Sequence, residues 1–296
     1  MFEATEDALL EEDMNRIARW KNKITEWLYR MSSHDSESFR QHYYHKIIEL
    51  VPELSKYKIY QVSYLEELAQ NRDLKDLQEY YHLLVSNKEE LDFLKQNLTY
   101  TGSHFFRGND WDFFIQNCLA VQDKNRDLKI WCAGCSSGQE VYSLIVALLD
   151  YVELDKIHVL ASDYNDRMLE LCRQGSYSNM HLHEVPERYH CYLNLNEKRF
   201  SFKDVIRDRI ETMNINLLED DYPKGFDLIL CRNVIKFFAP EIIRQTQKKL
   251  SECLLPGGFL FLSDDDASKK VELIKDPAAL DLVQLEDRCI YQKNKL

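Results

Sequence analysis

Glycine is scarce in this sequence and is absent from its first third. The chain of 296 residues has eight glycines, and none precedes Gly102. Glycine permits tight turns and close approach of the backbone to a ligand, so a glycine-rich ligand loop is excluded from the first hundred residues. The change in composition predicts two domains, an all-helical domain over residues 1–95 and a second domain over residues 96–296.

An excess of basic residues and long apolar runs are lacking as well. The chain has 38 Lys and Arg against 50 Asp and Glu, a formal charge of −12, which argues against nucleic acid as a partner because such surfaces are basic. No apolar run approaches the roughly 18 residues of a transmembrane helix. The acidic start lacks the basic and apolar regions of a secretory signal. We therefore expect a cytoplasmic protein that does not insert into a membrane.

Cysteines are too few and too scattered for a disulfide scaffold. The eight of them are spread between Cys118 and Cys289, whereas disulfide scaffolds concentrate cysteine in short chains. Cys132 and Cys135 form a C-x-x-C pair, but no second pair completes a zinc site. We expect reduced thiols and no metal site.

The first hundred residues have the spacing of amphipathic helices. Apolar residues recur every three or four positions between Ile17 and Met31, which is typical of one helical face. The same reasoning predicts four further helices, around residues 36–50, 62–70, 73–85 and 87–98. A basic stripe beside the first apolar face consists of Arg16, Arg19, Lys23 and Arg30. Such a stripe is usually a solvated face, and the alternative is a docking surface for an acidic partner.

After residue 125, strand-like and helix-like segments alternate. The strand-like segments are LKIWCAG, KIHVLASD, FDLILCRN and GGFLFLSD. This alternation predicts an α/β, Rossmann-like domain with a mainly parallel sheet. The last segment, LVQLEDRCIYQKN, predicts an antiparallel hairpin at one edge. A β-rich segment at about 185–211 interrupts the alternation, and we interpret it as a small antiparallel insertion.

The loop after the first predicted strand has the composition of a ligand-binding loop. Gly134 and Gly138 flank Cys135, Ser136 and Ser137, and a predicted helix follows. Small residues before a helix N-terminus suit a negatively charged ligand group. The second strand ends in Asp163, about 25 residues after the loop, where an acid suits capture of ribose hydroxyls. The alternative is that Asp163 caps the next helix.

Five sequence blocks in this order resemble one family. They are FFRGND, WCAGCSSGQEVYS, SDYNDRMLELCRQGSY, FDLILCRNVIKFF and LLPGGFLFLSDDD. Together they resemble the motifs of the CheR-type chemotaxis receptor methyltransferases, across residues 95–265. The resemblance implies that S-adenosylmethionine (SAM) is the cofactor and that S-adenosylhomocysteine is the product. It also implies that the methyl acceptors are glutamate side chains on the cytoplasmic helices of chemoreceptors.

The resemblance also implies roles for individual residues. Arg107 and Phe237 are the candidates for contact with the methyl acceptor. The cofactor contacts it implies come from Thr101, Ser103, Arg107, Gly134, Gly138, Glu140, Asp163, Asn216, Leu217, Asn233 and Val234. Two of these implications are the most specific. Glu140 matches the acid that contacts the methionine amino group in the family, and Asp163 matches the acid that binds ribose.

The sequence departs from the family pattern where the methyl acceptor is expected. Phe237 stands where the family has a tyrosine, so a hydroxyl is lost there. The family's G-H-S-E end is S-D-D-D at residues 263–266. Two alternatives therefore stay open: a SAM-dependent methyltransferase with another acceptor, and a non-catalytic SAM-binding regulator. We expect a monomer, and we leave open whether the β insertion binds a receptor tail.

Overall fold

The computed structural model describes most of the chain in two compact units. The described residues are 34–57, 61–98, 102–107, 110–119, 126–262, 274–286 and 288–295. One unit contains residues 34–55 and 61–95, and the other contains residues 56–57 and the described residues from 96 onward. Lys56 and Tyr57 thus belong to the second unit, although helices of the first unit flank them in the sequence. The division of the chain into domains 1–95 and 96–296 stays a prediction.

The first unit is helical in its described part. Its helices are α1 (His34–Leu50), α2 (Gln61–Gln70), α3 (Leu77–Ser86) and α4 (Lys88–Gln96), with a 3-10 turn at Pro52–Lys56 after α1. Helix α3 begins later than predicted because Asp76 caps it, accepting hydrogen bonds from the backbone N–H groups of Gln78 and Glu79. Asn87 caps α4 in the same way. The basic stripe of the first predicted helix lies outside the described residues.

The second unit is built on a seven-stranded, mostly parallel sheet. Its order is β6-β2-β1-β7-β8-β10-β9. The strands are β1 (Leu128–Ala133), β2 (Ile157–Asp163), β6 (Ile210–Asn214), β7 (Phe226–Leu230), β8 (Leu254–Phe261), β9 (Leu282–Gln284) and β10 (Ile290–Lys293). Strands β6, β2, β1, β7 and β8 run parallel. Strand β10 is antiparallel to both β8 and β9. This arrangement confirms the predicted Rossmann-like sheet with an antiparallel edge hairpin.

Helices connect the parallel strands. Before the sheet comes α5 (Asp110–Phe114), which continues as a π-helical turn over Ile115–Leu119. The crossover helices are α6 (Gln139–Leu148), α7 (Asp166–Gln174), the short α8 (Asp204–Arg207) and α9 (Pro240–Cys253). In α6, every residue except Glu140 is buried, as expected of a helix that is apolar all round. No helix among the described residues is long and apolar enough to cross a membrane.

The β insertion is present, but its bounds differ from the predicted 185–211. A three-stranded antiparallel sheet is formed by β3 (Ser176–Ser178), β4 (Leu193–Leu195) and β5 (Arg199–Phe202), in the order β3-β5-β4. The insertion therefore begins earlier than predicted. The residues IETMN, which we assigned to the antiparallel excursion, form β6 of the main sheet, parallel to β2. Residues of β6 are half-buried or exposed, so the strand lacks the apolar pattern of its neighbours.

Candidate active site

A single cleft collects most of the predicted site residues. It lies where β1, β2, β6 and β7 end, and the empty space in it is about 960 Å³, part of it open to solvent. Ligands of open α/β sheets bind at this edge. The predicted residues that line it are Ser103, Arg107, Gly134, Glu140, Asp163, Asn216, Leu217, Asn233, Val234 and Phe237. Gly138 is not among the lining residues, and Thr101 lies outside the described residues.

The loop after β1 is fixed by backbone hydrogen bonds to β2. The N–H groups of Gly134 and Cys135 both donate to the Ser162 carbonyl, each at 2.8 Å. Gly134 has φ +73°, and a Cβ added there would lie 2.5 Å from Val234 Cγ2. Glycine is therefore required for this loop to approach the segment after β7. Gly138 also has positive φ, and it contacts Cys172 of α7 instead of lining the cleft.

Asp163 lies at the end of β2 and fixes two neighbouring segments. Its Oδ2 accepts the Ser136 N–H at 2.9 Å, and its Oδ1 accepts the Asn165 N–H at 3.0 Å. The cap of α7 is Asn165, whose side chain accepts from the N–H groups of Arg167 and Met168. Asp163 is therefore not the helix cap. Burial raises the pKa of Asp163, and the backbone hydrogen bonds oppose that shift.

Glu140 forms an ion pair with a buried arginine. Arg232 Nη1 donates to Glu140 Oε2 at 2.5 Å, and Arg232 Nη2 donates to the Arg107 carbonyl at 2.6 Å. The Arg232 side chain is fully buried and packs over the rings of Phe261 and Trp111, at 4.4 and 5.3 Å. Arg232 therefore positions a carboxylate on α6 and a carbonyl of the segment 102–107, which is the role expected of a buried, paired charge.

The segment 102–107 is attached on two sides. The Phe105 N–H donates to Glu184 Oε2 at 2.9 Å, and the Phe106 N–H donates to Ser143 Oγ at 3.0 Å. Glu184 also contacts His181 and His104. Burial alone would raise the pKa of Glu184, but its hydrogen bonds with His104, His181 and the Phe105 N–H hold that pKa well below its usual range.

Arg107 ends this segment with its side chain half-buried at the cleft. Within the described residues, no carboxylate forms an ion pair with the Arg107 guanidinium. Glu140, a carboxylate that also lines the cleft, forms its ion pair with Arg232. The cleft therefore has one arginine whose charge is not matched by a described acidic side chain.

The segments after β6 and β7 complete the cleft. Asn233 has φ +57°, a conformation that asparagine tolerates better than most residues. Its side-chain Nδ2 is buried and has no hydrogen-bond acceptor within the described residues. After β6, Asn216 is held by Asp220 Oδ2, which accepts its N–H at 2.7 Å, and Leu217 is buried. Asn233 thus lines the cleft and has a buried donor with no acceptor among the described residues.

Asn233 lies near the start of the segment that follows β7, and Phe237 lies farther along the same segment. It ends a 3-10 turn, Ile235–Phe237, and it lines the cleft together with Phe238 and Tyr57. Tyr57 forms an antiparallel bridge with Phe238, and their rings meet edge to face at 5.6 Å. The Ala239 N–H donates to the Lys56 carbonyl at 2.8 Å. Residues 56–57 are therefore attached to the backbone beside Phe237.

Comparison with known proteins identifies the family. Residues 101–278 match the family model described as CheR methyltransferase, SAM binding domain. The chain belongs to the CheR methyltransferase family. A chemotaxis protein methyltransferase of Listeria monocytogenes is 31% identical over 214 residues, which cover 71% of this chain and 79% of the relative. One of Borreliella burgdorferi is 26% identical over 239 residues, which cover 74% and 84%. The family model and these relatives together support SAM-dependent methylation in chemotaxis as the activity of this chain.

The cleft of this CheR-family protein fits SAM, its cofactor. Glu140 and Asp163 place two carboxylates in the cleft, and carboxylates accept hydrogen bonds from the amino group and the ribose hydroxyls that SAM has. An ionised carboxylate has acceptor sites for several donors, so Asp163 retains capacity beyond its two backbone bonds. The buried Nδ2 of Asn233 needs an acceptor, and a ligand in the cleft can supply one.

Among the lining residues of this CheR-family protein that we did not predict, four have large polar or charged side chains: Tyr57, His104, Tyr164 and Arg232. Arg232 stands in the FDLILCRNVIKFF block, and the structure shows that it forms an ion pair with Glu140. His104 and Tyr164 adjoin predicted residues in the sequence, which is the signal that could have indicated them. Tyr57 has no such signal because it stands far from every motif.

Proposed function

We propose that this protein transfers a methyl group from SAM to glutamate side chains of chemotaxis receptors, forming methyl esters. The observation that supports this acceptor best is Arg107, a cleft arginine with no acidic partner among the described residues. An arginine binds a carboxylate through paired, charge-assisted hydrogen bonds. An acceptor glutamate supplies the charge that the cleft lacks beside Arg107.

The chemistry makes modest demands on the side chains. A glutamate carboxylate has a pKa of about 4.3 in solution and is ionised at neutral pH, so no general base is needed. When bound, SAM supplies an activated methyl group: a carboxylate oxygen bonds to the methyl carbon while the carbon–sulfur bond breaks, and its electron pair remains on sulfur in S-adenosylhomocysteine. Positioning of reactants of this kind contributes up to about 7–11 kcal/mol.

The residues of the cleft then divide the positioning between them. Asp163 accepts hydrogen bonds from the ribose, Glu140 pairs with the methionine amino group, and Asn233 donates to the cofactor from Nδ2. Ser103, Gly134, Val234, Asn216 and Leu217 contact the cofactor around these groups. Arg107 orients the acceptor carboxylate, and the Phe237 ring packs beside the sulfonium, where a cation attracts an aromatic face. Arg232 acts indirectly by positioning Glu140 and the Arg107 backbone.

The test is methyl transfer to a receptor cytoplasmic fragment from methyl-labelled SAM, followed by mild base. We expect label on the receptor that base releases, as methyl esters require. Arg107→Ala should lower kcat/KM for the receptor about tenfold to a hundredfold, because a charge-assisted hydrogen bond is lost. The matched control is Arg244→Ala, on the exposed side of α9, which should leave transfer unchanged.

Other outcomes would contradict the proposal in distinct ways. Tight SAM binding without transfer to any acceptor would indicate the non-catalytic regulator. Label in a small molecule but not in the receptor would indicate a different acceptor. Equal kcat/KM in the Arg107→Ala and Arg244→Ala variants would remove Arg107 from acceptor binding.

A further inference from the structure

The acceptor end of the cleft contains a tyrosine from a distant part of the sequence. Tyr57 is 8% exposed and lines the cleft with Phe237 and Phe238. It reaches this position through pairing of residues 56–57 with residues 238–239, which consists of the Tyr57–Phe238 bridge and the hydrogen bond from Ala239 N–H to the Lys56 carbonyl. A second attachment is the ion pair between Lys56 Nζ and Glu219 Oε1, at 2.6 Å. Tyr57 is therefore fixed beside the 3-10 turn that carries Phe237.

A hydroxyl beside Phe237 adds a second donor to Arg107 at this end of the cleft, and Phe237 itself has none. An acceptor carboxylate has two oxygens; one forms the new ester bond, and the other must be held so that the first stays in line. Arg107 is one donor of the cleft for that oxygen. An aromatic ring without a hydroxyl contributes packing but no hydrogen bond. Tyr57 is the lining residue that is both adjacent to the Phe237 turn and equipped with a phenolic hydroxyl.

We infer that Tyr57 supplies the hydroxyl at the acceptor end of the cleft, in place of the one that Phe237 lacks, and that it orients the acceptor carboxylate. This inference rests on the proposed function. It makes Tyr57 a residue of the reaction, although the residues before and after segment 56–57 belong to the helical unit. It also explains how a phenylalanine at position 237 is compatible with catalysis.

The experiment compares four proteins in transfer to the receptor fragment: wild type, Tyr57→Phe, the double variant Tyr57→Phe with Phe237→Tyr, and Tyr151→Phe. Tyr151 is half-buried in the turn after α6, outside the cleft, and serves as the control for loss of a tyrosine hydroxyl. We expect Tyr57→Phe to lower kcat about tenfold, as loss of a hydrogen bond to a charged group does. The Kd for SAM, measured by calorimetry without receptor, should stay within about twofold, because the hydroxyl contacts the acceptor. The double variant should recover most of kcat.

Each outcome decides the inference. A kcat of Tyr57→Phe equal to that of wild type and Tyr151→Phe would overturn it. So would a loss of kcat that Phe237→Tyr does not restore, or a parallel loss of SAM affinity, since either would indicate a structural role. A wild-type protein that transfers no methyl to the receptor would overturn the proposed function, and the inference with it, whereas the first three results would overturn the inference alone.

Discussion

The two ends of the cleft are built in different ways. At the cofactor end, the loop after β1 and the end of β2 are joined by hydrogen bonds from the N–H groups of Gly134, Cys135 and Ser136. At the acceptor end, Arg107, Phe237 and Tyr57 come from three segments outside the sheet. In the proposed function, the edge of the sheet binds the cofactor, and these three segments bind the acceptor. Arg232 contacts both ends, through Glu140 and the Arg107 carbonyl.

The largest expected effect in this comparison is at Asp163. Asp163→Asn keeps the shape of the side chain but removes its charge and half of its acceptor capacity. We expect the Kd for SAM to rise about 30- to 100-fold, because hydrogen bonds to a charged group are lost. Calorimetry without receptor measures this directly. Asp208→Asn, at an exposed site, is the control, and similar Kd values for the two variants would remove Asp163 from the cofactor site.

The difference between the two ends also explains what could be predicted from the sequence. Gly134 directly follows a buried, apolar strand, and Asp163 is the last residue of another. Local sequence pattern was therefore sufficient to predict their place at the edge of the sheet. Strand β6 was assigned to the insertion because it continues a β-rich segment. Its pairing with β2 is a tertiary effect. Tyr57 could not be predicted, since its position depends on a backbone bridge to Phe238, 181 residues along the chain.

The next effect compares two glycines. Gly134 and Gly225 both have positive φ, but a Cβ at Gly134 would meet Val234 at 2.5 Å, whereas a Cβ at Gly225 would meet nothing within 4 Å. Alanine at either site costs about 1–2 kcal/mol in backbone strain. We expect Gly134→Ala to lower the free energy of unfolding by about 1–3 kcal/mol more than Gly225→Ala, because of the overlap. Urea unfolding measures both. Equal losses of unfolding free energy in the two variants would mean that the loop does not lie against Val234. A second substitution, Val234→Ala, should partly restore the unfolding free energy of the Gly134→Ala variant.

The smallest effect concerns Glu184, which attaches the acceptor-end segment through the Phe105 N–H. The pKa of Glu184 is lowered in the folded protein, so its ionised form stabilises the fold above the unfolded pKa of about 4.3. That contribution is lost as pH falls below this value. The difference in the free energy of unfolding between wild type and Glu184→Gln should therefore shrink as pH falls below about 4.3. Urea unfolding across that range tests this, and a difference that grows as pH falls would contradict it.

In the proposed function, the methyl acceptor is a receptor glutamate that binds at the end of the cleft beside Arg107. The most direct measurement is mass spectrometry of a receptor cytoplasmic fragment after incubation with the protein and methyl-labelled SAM, before and after mild base. We expect labelled methyl groups on glutamate side chains of the receptor helices, and we expect mild base to remove them. Label that survives base, or that maps to another residue type, would contradict it.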